Sequence, residues 1–195
     1  SFASLSSLTS LQDLSVDNTA IDKESLAKLS SSLPLLTKLN VEGLLNPIPA
    51  TGFACLSVLT SLQELTLNNA TIDCAGFELL ARSLTNLTKL HLYEVNLVPE
   101  ADSQEAFGCL QSLTLLQKLD LGATVINDEG LTVLSRSLPN LTKLDLYLCK
   151  LVTATVLVRL SSLTSLQELQ LECTGINHED CEELQSLSPG LNIFS

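Results

Sequence analysis

The stretch SLPNLTKLDLYLCKL, residues 137–151, decides the fold, because its central motif NLTKLxLY is written twice, at Asn86 and again at Asn140. The shorter pattern L-x-x-L-x-[LV] recurs seven times at intervals of 25–29 residues. One such motif is common by chance, whereas seven in register predict a repeat architecture. The seven units start at Leu11, Leu36, Leu62, Leu87, Leu116, Leu141 and Leu166.

Each unit also has a predicted ending. In six of the seven units an aliphatic residue stands five positions after the third anchor of the motif, at Ile21, Ile72, Leu97, Ile126, Leu151 and Ile176. The second unit departs from this ending, with EGLLNPIPATG at residues 42–52. An eighth start, at Leu191, is cut off by the end of the sequence.

This pattern resembles the leucine-rich repeat family, and the resemblance covers essentially the whole chain. It implies an α/β fold, a leucine-rich repeat solenoid shaped as a curved horseshoe. A parallel sheet is expected on the concave face, with helices and irregular segments on the convex face. We expect one domain over residues 1–195, with seven full repeats and partial repeats at both ends.

Helix-start signals indicate a subtype. An Asx side chain that can cap free backbone N–H groups precedes each of four helical patterns, at Asp22, Asp73, Asn127 and Asn177. Acidic residues follow in the first turns, where the helix dipole favours negative charge, at Glu24, Asp128, Glu129, Glu179 and Asp180. This combination of leucine motifs with capped, acidic helix starts is similar to the repeats of ribonuclease inhibitor and to the repeat domains of NACHT-type innate-immune receptors.

Two types of unit alternate along the chain. Units that read L-Q-[DEK]-L lead into the capped helices, and units that read L-T-K-L lead into less regular segments, so the true repeat is a pair of about 50 residues. An apolar ladder is predicted on the convex side, nine residues before alternate starts, at Phe2, Phe53, Phe107 and Leu157.

Composition limits the partners. The net charge of −12 argues against nucleic acid, whose phosphates bind Lys and Arg. It favours either a basic partner or solubility alone, and the helix-start acids account for part of it. No stretch has the roughly 20 apolar residues of a membrane span. The six cysteines are expected as free thiols, which favours the cytoplasm, although the sequons at Asn69, Asn86 and Asn140 keep an extracellular location open.

Function is expected from the outward positions of the strands. The fifth-position row contains Thr66, His91 and Asp120 on successive strands, superficially a nucleophile, a base and an orienting acid. A metal held by His91, Asp120, Asp145 and Glu94 is the other chemical alternative. No oxyanion hole, pocket or recognised ligand spacing accompanies either set, so we predict no enzyme, no metal and no cofactor.

Positions seven and eight suggest a binding patch instead. Tyr93 and Tyr147, the two tyrosines of the chain, flank the small residues Gly122 and Ala123, and Leu148 is predicted to be exposed beside them. Aromatic anchors around a depression with an acidic rim are typical of protein-binding hot spots, although tyrosines can also simply cover a sheet edge. The predicted partner-binding residues are Tyr93, Glu94, His91, Asp120, Asp145, Tyr147, Leu148 and Glu172.

The leading hypothesis is a non-enzymatic recognition module that binds a protein or peptide on its concave face, with a role in innate-immune sensing implied by the resemblance. One alternative is a ribonuclease-inhibitor-like blocker of a basic enzyme. Another is a substrate-receptor type of adaptor. A repeat-type GTPase activator ranks last, because no arginine stands at a concave position and Arg82 and Arg136 fall on the helices.

Overall fold

The computed structural model describes residues 8–17, 19, 21–43, 50–98 and 103–195 of the chain. The predicted N-terminal partial repeat with Phe2 lies outside the described residues. So do residues 44–49 of the departing second unit.

An eight-stranded parallel sheet runs through the molecule in the order β1-β2-β3-β5-β7-β8-β9-β10. Each strand is three residues long and begins two residues after the first leucine of its unit in the seven complete units. The strands are β1 Asp13–Ser15, β2 Lys38–Asn40, β3 Glu64–Thr66, β5 Lys89–His91, β7 Lys118–Asp120, β8 Lys143–Asp145, β9 Glu168–Gln170 and β10 Asn192–Phe194.

The leucines of the motif form the core, because alternate residues of a strand point to opposite faces. Neighbouring strands pair in register, so that Leu90, Leu119 and Leu144 lie side by side beneath the sheet. The first and third anchors are buried as well, as Leu116 and Leu121 illustrate. The outward positions therefore form straight rows across the exposed face of the sheet.

Four ten-residue helices cover the other side of the core: α1 Lys23–Ser32, α2 Cys74–Ser83, α4 Asp128–Ser137 and α6 His178–Leu187. Each of the four predicted cap residues accepts a hydrogen bond from the backbone N–H three residues later, at 2.8–3.0 Å. The first-turn acids lie where they were predicted, in α1, α4 and α6. The helix starts were thus readable from the sequence.

The L-T-K-L units carry shorter elements in place of long helices. These are the 3-10 segment Ala50–Val58, α3 Ser103–Gly108 with the 3-10 turn Cys109–Ser112, and the 3-10 turn Ala154–Val156 with α5 Leu157–Leu160. A second sheet pairs β4 Thr71–Asp73 with β6 Asn96–Val98. Of the predicted apolar ladder, Phe53, Phe107 and Leu157 are buried.

A hydrogen bond to a backbone carbonyl explains why threonine stands second in one type of unit. The Thr88 hydroxyl donates to the Gln63 carbonyl oxygen at 3.0 Å, and the N–H groups of Thr88 and Lys89 donate to the same oxygen. Thr37 on Gln12 and Thr142 on Gln117 repeat this arrangement at 3.0 Å. The threonine hydroxyl thus adds a side-chain hydrogen bond to the backbone junction between each L-T-K-L unit and the unit before it.

Two positions depart from the repeat pattern. Leu151 is 52% exposed and Val152 is buried in its place, because the turn at Lys150 and Leu151 contains one more residue than its counterparts. In the eighth unit the strand begins one residue after Leu191, whereas in the complete units it begins two residues after the first leucine. Ile193 therefore pairs with Leu169 and points inward, and Phe194 pairs with Gln170. A shift of one residue exchanges the two faces of a strand, and Phe194 is 48% exposed on the concave side.

The third-position side chains form a ladder of charges, with opposite signs at four of the six junctions between neighbouring units. Ion pairs join three of these four junctions. Glu64 accepts from Lys89 at 2.8 Å and lies 3.9 Å from Lys38, and Lys143 pairs with Glu168 at 2.9 Å. All six cysteines are free thiols. Within the described ranges, no helix is long and apolar enough to cross a membrane.

Candidate functional site

The candidate site lies on the concave face of three neighbouring strands, β5, β7 and β8. Their in-register pairing aligns the fifth-position side chains of His91, Asp120 and Asp145. Tyr93, Gly122 and Tyr147 follow two residues later in the same units. The structure thus brings six side-chain positions from three repeats onto one surface.

The two aspartates are held by their own backbone. Asp120 accepts a hydrogen bond from the Gly122 N–H at 2.9 Å through Oδ1, and Asp145 accepts from the Tyr147 N–H at the same distance. One oxygen of each carboxylate therefore positions the turn that carries the seventh residue. Among the described residues, no hydrogen bond to the second oxygen of either carboxylate is found. Partial burial raises the pKa of the Asp145 carboxyl, and the charges of Asp120 and Glu172 add to this effect.

His91 completes the fifth-position row without forming a catalytic relay. Its Nδ1 atom lies 3.8 Å from Asp120 Oδ2, beyond hydrogen-bond distance. Thr66 is the register partner of His91 on β3, and no hydrogen bond joins their side chains among the described residues. The part of the chain that the structure describes also contains no group of three or more His, Cys, Asp or Glu side chains that could hold a metal ion.

The ring of Tyr93 fills the depression that the small residues were expected to leave open. A Cβ atom built on Gly122 would lie 2.8 Å from Tyr93 Cδ2 and 3.3 Å from the Tyr147 carbonyl oxygen. The ring therefore lies directly on the Gly122 backbone. The Asn68 side chain accepts from the Tyr93 N–H at 3.0 Å and fixes the start of this turn. Tyr93 and Tyr147 are both half-buried.

The eighth position of a unit is a left-handed turn in the six units where the structure describes it, and Gly43 occupies one of these turns. Five non-glycine residues with positive φ angles of 55–60° occupy it, at Asn69, Glu94, Ala123, Leu148 and Cys173. The N–H groups of Asn69, Glu94, Ala123 and Leu148 each donate to the seventh-position carbonyl of the next unit. Leu148 is half-buried here, so its predicted exposure is wrong. Glu94 remains exposed on the rim.

The electrostatics of the surface are dominated by carboxylates. Partial burial raises the pKa of the Tyr93 hydroxyl, and Glu94, Tyr147, Asp120 and Asp145 raise it further. Glu172, the outermost predicted residue, is exposed and accepts from Gln170 Nε2 at 3.1 Å. Two aromatic rings thus lie within an anionic field, an arrangement suited to a cationic side chain.

A recess that the sequence reasoning missed adjoins this surface. It has a volume of about 320 Å³ and is lined by Lys143, Leu144, Asp145, Glu168, Gln170 and Phe194. The exposed ring of Phe194 forms its apolar wall. The one-residue shortening before β10 brings Phe194 to the concave side, which the leucine pattern at Leu191 does not indicate.

A larger recess, about 800 Å³, lies along the flank where the last strands begin. Its lining consists of leucines, serines, threonines, amides and the Pro189–Gly190 turn, and none of these side chains titrates near neutral pH. It therefore offers no acid or base. The concave surface, by contrast, brings Asp120 and Asp145 together with Tyr93 and Tyr147.

Comparison with known proteins agrees with this architecture. An internalin (inlF) from Listeria monocytogenes superposes with a TM-score of 0.64 over 98% of this chain, at 22% sequence identity. The fold is a leucine-rich repeat solenoid. The chain spans 56% of the length of that internalin chain. No protein-family model matches the sequence, and no curated protein matches it either.

Proposed function

We propose that this solenoid is a non-enzymatic recognition module that binds a protein or peptide on the concave face of β5, β7 and β8. The observation that carries the proposal is the joint placement of Tyr93, Tyr147, Asp120 and Asp145 on one surface. Two half-buried rings supply contact area at a low cost in conformational entropy. The carboxylates beside them suit a lysine or arginine side chain of the partner, which the rings can contact through their faces.

The remaining predicted residues extend this surface. His91 borders Asp120, whereas Glu94, Leu148 and Glu172 lie along the edge where the strands end. Long-range attraction from these acids speeds encounter with a basic partner more than it strengthens the final complex. We therefore assign the affinity chiefly to the tyrosines and to the aspartate pair, and the rim to orientation and association rate.

We also propose that the chain is one domain of the ribonuclease-inhibitor-like subtype. The four capped ten-residue helices and the alternation of two unit types support this subtype. A role in innate-immune sensing, as in NACHT-type receptors, is the corresponding proposal for its biology. A substrate-receptor adaptor would use the same surface.

A blocker of a basic enzyme is the second candidate, and the net charge of −12 favours it. Such a blocker must cover the catalytic cleft of its target. Addition of the purified chain to a basic ribonuclease would then abolish turnover at stoichiometric amounts, and the inhibition would weaken as salt screens the charges.

Affinity capture from the native source tests the leading proposal. The wild-type chain is compared with a Tyr93→Ala/Tyr147→Ala variant and with a Val58→Ala/Val158→Ala control, whose residues are exposed apolar side chains elsewhere. We expect a partner that the wild type and the control retain and the tyrosine variant loses by at least tenfold. Equal retention by all three folded chains would place the site away from this surface.

A further inference from the structure

Three lysines lie side by side at the third position of the same three strands. Lys118 on β7 pairs in register with Lys89 on β5 and with Lys143 on β8. Like charges directly opposite each other destabilise a sheet. An uncharged side chain of similar length would serve the fold better at the central position.

The two outer lysines are neutralised by neighbours further out. Lys89 Nζ lies 2.8 Å from Glu64 on β3, and Lys143 Nζ lies 2.9 Å from Glu168 on β9. Lys118, which is exposed, has no carboxylate oxygen within 4.0 Å among the described residues. Within this stretch of the ladder, the central cation is thus the one without an ion pair to a neighbouring strand.

Lys118 stands next to the anionic part of the proposed site. It precedes Asp120 by two residues on β7, and alternate residues of a strand are separated by about 7 Å on one face. The Lys118 cation and the carboxylates of Asp120 and Asp145 therefore face the partner about 7 Å apart. The tyrosine rings lie beyond the carboxylates. The matching spacing in an extended partner segment is that of residues i and i+2.

We propose that Lys118 binds a carboxylate of the partner, so that the concave face selects an extended segment with an acidic side chain two residues from a basic one. The inference rests on the proposed function, since Asp120, Asp145 and the tyrosines receive the basic side chain. It adds a second, oppositely charged subsite. A surface with one cationic and one anionic subsite discriminates against partners that are uniformly basic.

Two blocked peptides test this directly: acetyl-Gly-Lys-Gly-Glu-Gly-amide and the same peptide with Gln in place of Glu. Binding to the full chain is followed by ¹⁵N–¹H NMR at the amides of Lys118, Tyr93 and Tyr147. We expect the Glu peptide to bind at least threefold more tightly than the Gln peptide. Lys118→Gln should remove this preference and leave the affinity for the Gln peptide unchanged.

Lys38→Gln is the matched control, because Lys38 occupies the same row on the distant strand β2 and should leave the preference intact. Charge reversal by Lys118→Glu should shift the preference to a Lys-Gly-Lys peptide. Equal affinities of the wild type for the Glu and Gln peptides would overturn the Lys118 subsite and leave the cation site standing. Failure of both peptides to bind would overturn the proposed cation site and this inference with it.

Discussion

The ring of Tyr93 rests on the backbone of Gly122, close enough that a Cβ atom there would lie 2.8 Å from the ring. The backbone of Gly122 thus supports one of the two aromatic side chains of the candidate site. The contact crosses from one repeat to the next. The orientation of Tyr93 therefore depends on a residue of the following unit.

Replacement of Gly122 by alanine should displace that ring. The added methyl group clashes with Tyr93 Cδ2, and we expect a loss of about 1 kcal/mol in the free energy of unfolding. The chain has two tyrosines and no tryptophan, so acrylamide quenching of tyrosine fluorescence should increase. Gly108→Ala is the control, because a Cβ atom there meets nothing within 4 Å. Unchanged quenching in Gly122→Ala would show that the ring does not rest on the glycine.

Replacement of Asp145 by asparagine should stabilise the fold and weaken binding of a cationic peptide. The amide oxygen can still accept from the Tyr147 N–H, while repulsion from Asp120 disappears. We expect a gain of about 0.5 kcal/mol at pH 7, measured by urea unfolding. Asp13→Asn on the distant strand β1 should change neither property by a comparable amount.

The pH dependence of that gain has a definite sign. Partial burial and nearby carboxylates raise the pKa of Asp145 above its ordinary value of 3.8. A carboxyl with a raised pKa binds its proton more tightly in the folded state, so its ionisation lowers stability above that pKa. The advantage of Asp145→Asn should therefore vanish as the pH falls through the raised pKa. An advantage that persisted at lower pH would exclude ionisation as its cause.

Glycine at the left-handed turn should stabilise the chain. Ala123 has a φ angle of 55°, and an L side chain in this region costs roughly 1–2 kcal/mol. Ala123→Gly should therefore raise the free energy of unfolding by about 1 kcal/mol, because the greater freedom of glycine in the unfolded chain offsets part of the gain. Ala75→Gly, the same change on the exposed surface of α2, should have the opposite sign.

One thiol should react much faster than the others. Cys173 is exposed, whereas Cys149 is fully buried and burial raises the pKa of Cys109 to about 12. Since the thiolate is the reactive species, a disulfide reagent at pH 8 should modify Cys173 first. Cys173→Ser should remove the fast phase. Equally fast labelling of the buried Cys109 or Cys149 would mean that the core opens in the native state.

The boundaries of the repeats were predictable because the spacing of the leucines shows which side chains face the core. Strand positions, helix caps and the buried slot of Cys149 all follow from that spacing. The departures at Leu151 and Phe194 arise from single-residue changes in turn length, which the leucine motif does not indicate. The left-handed turn at Glu94 and Leu148 was missed although Gly43 and Asn69, residue types that tolerate positive φ, stand in the same column.

The candidate site was only partly predictable. Its members share outward positions in adjacent units, so their proximity follows from the repeat alone. The filling of the depression by Tyr93 depends on the rotamer of one ring, and the lack of a counter-ion for Lys118 depends on which glutamates reach which lysines. The rotamer of Tyr93 and the pairing of glutamates with lysines depend on side-chain geometry, which the repeat pattern does not specify.

The alternation of L-Q-x-L and L-T-K-L units has an evolutionary consequence. If a single unit were lost, two units of one type would become neighbours; removal of the Glu64 unit, for example, would place Lys38 directly beside Lys89. Loss or gain of two consecutive units preserves the alternation of L-Q-x-L and L-T-K-L units. Unequal crossing-over would therefore be tolerated in steps of two repeats, and the length of such an array should vary among descendants in even numbers.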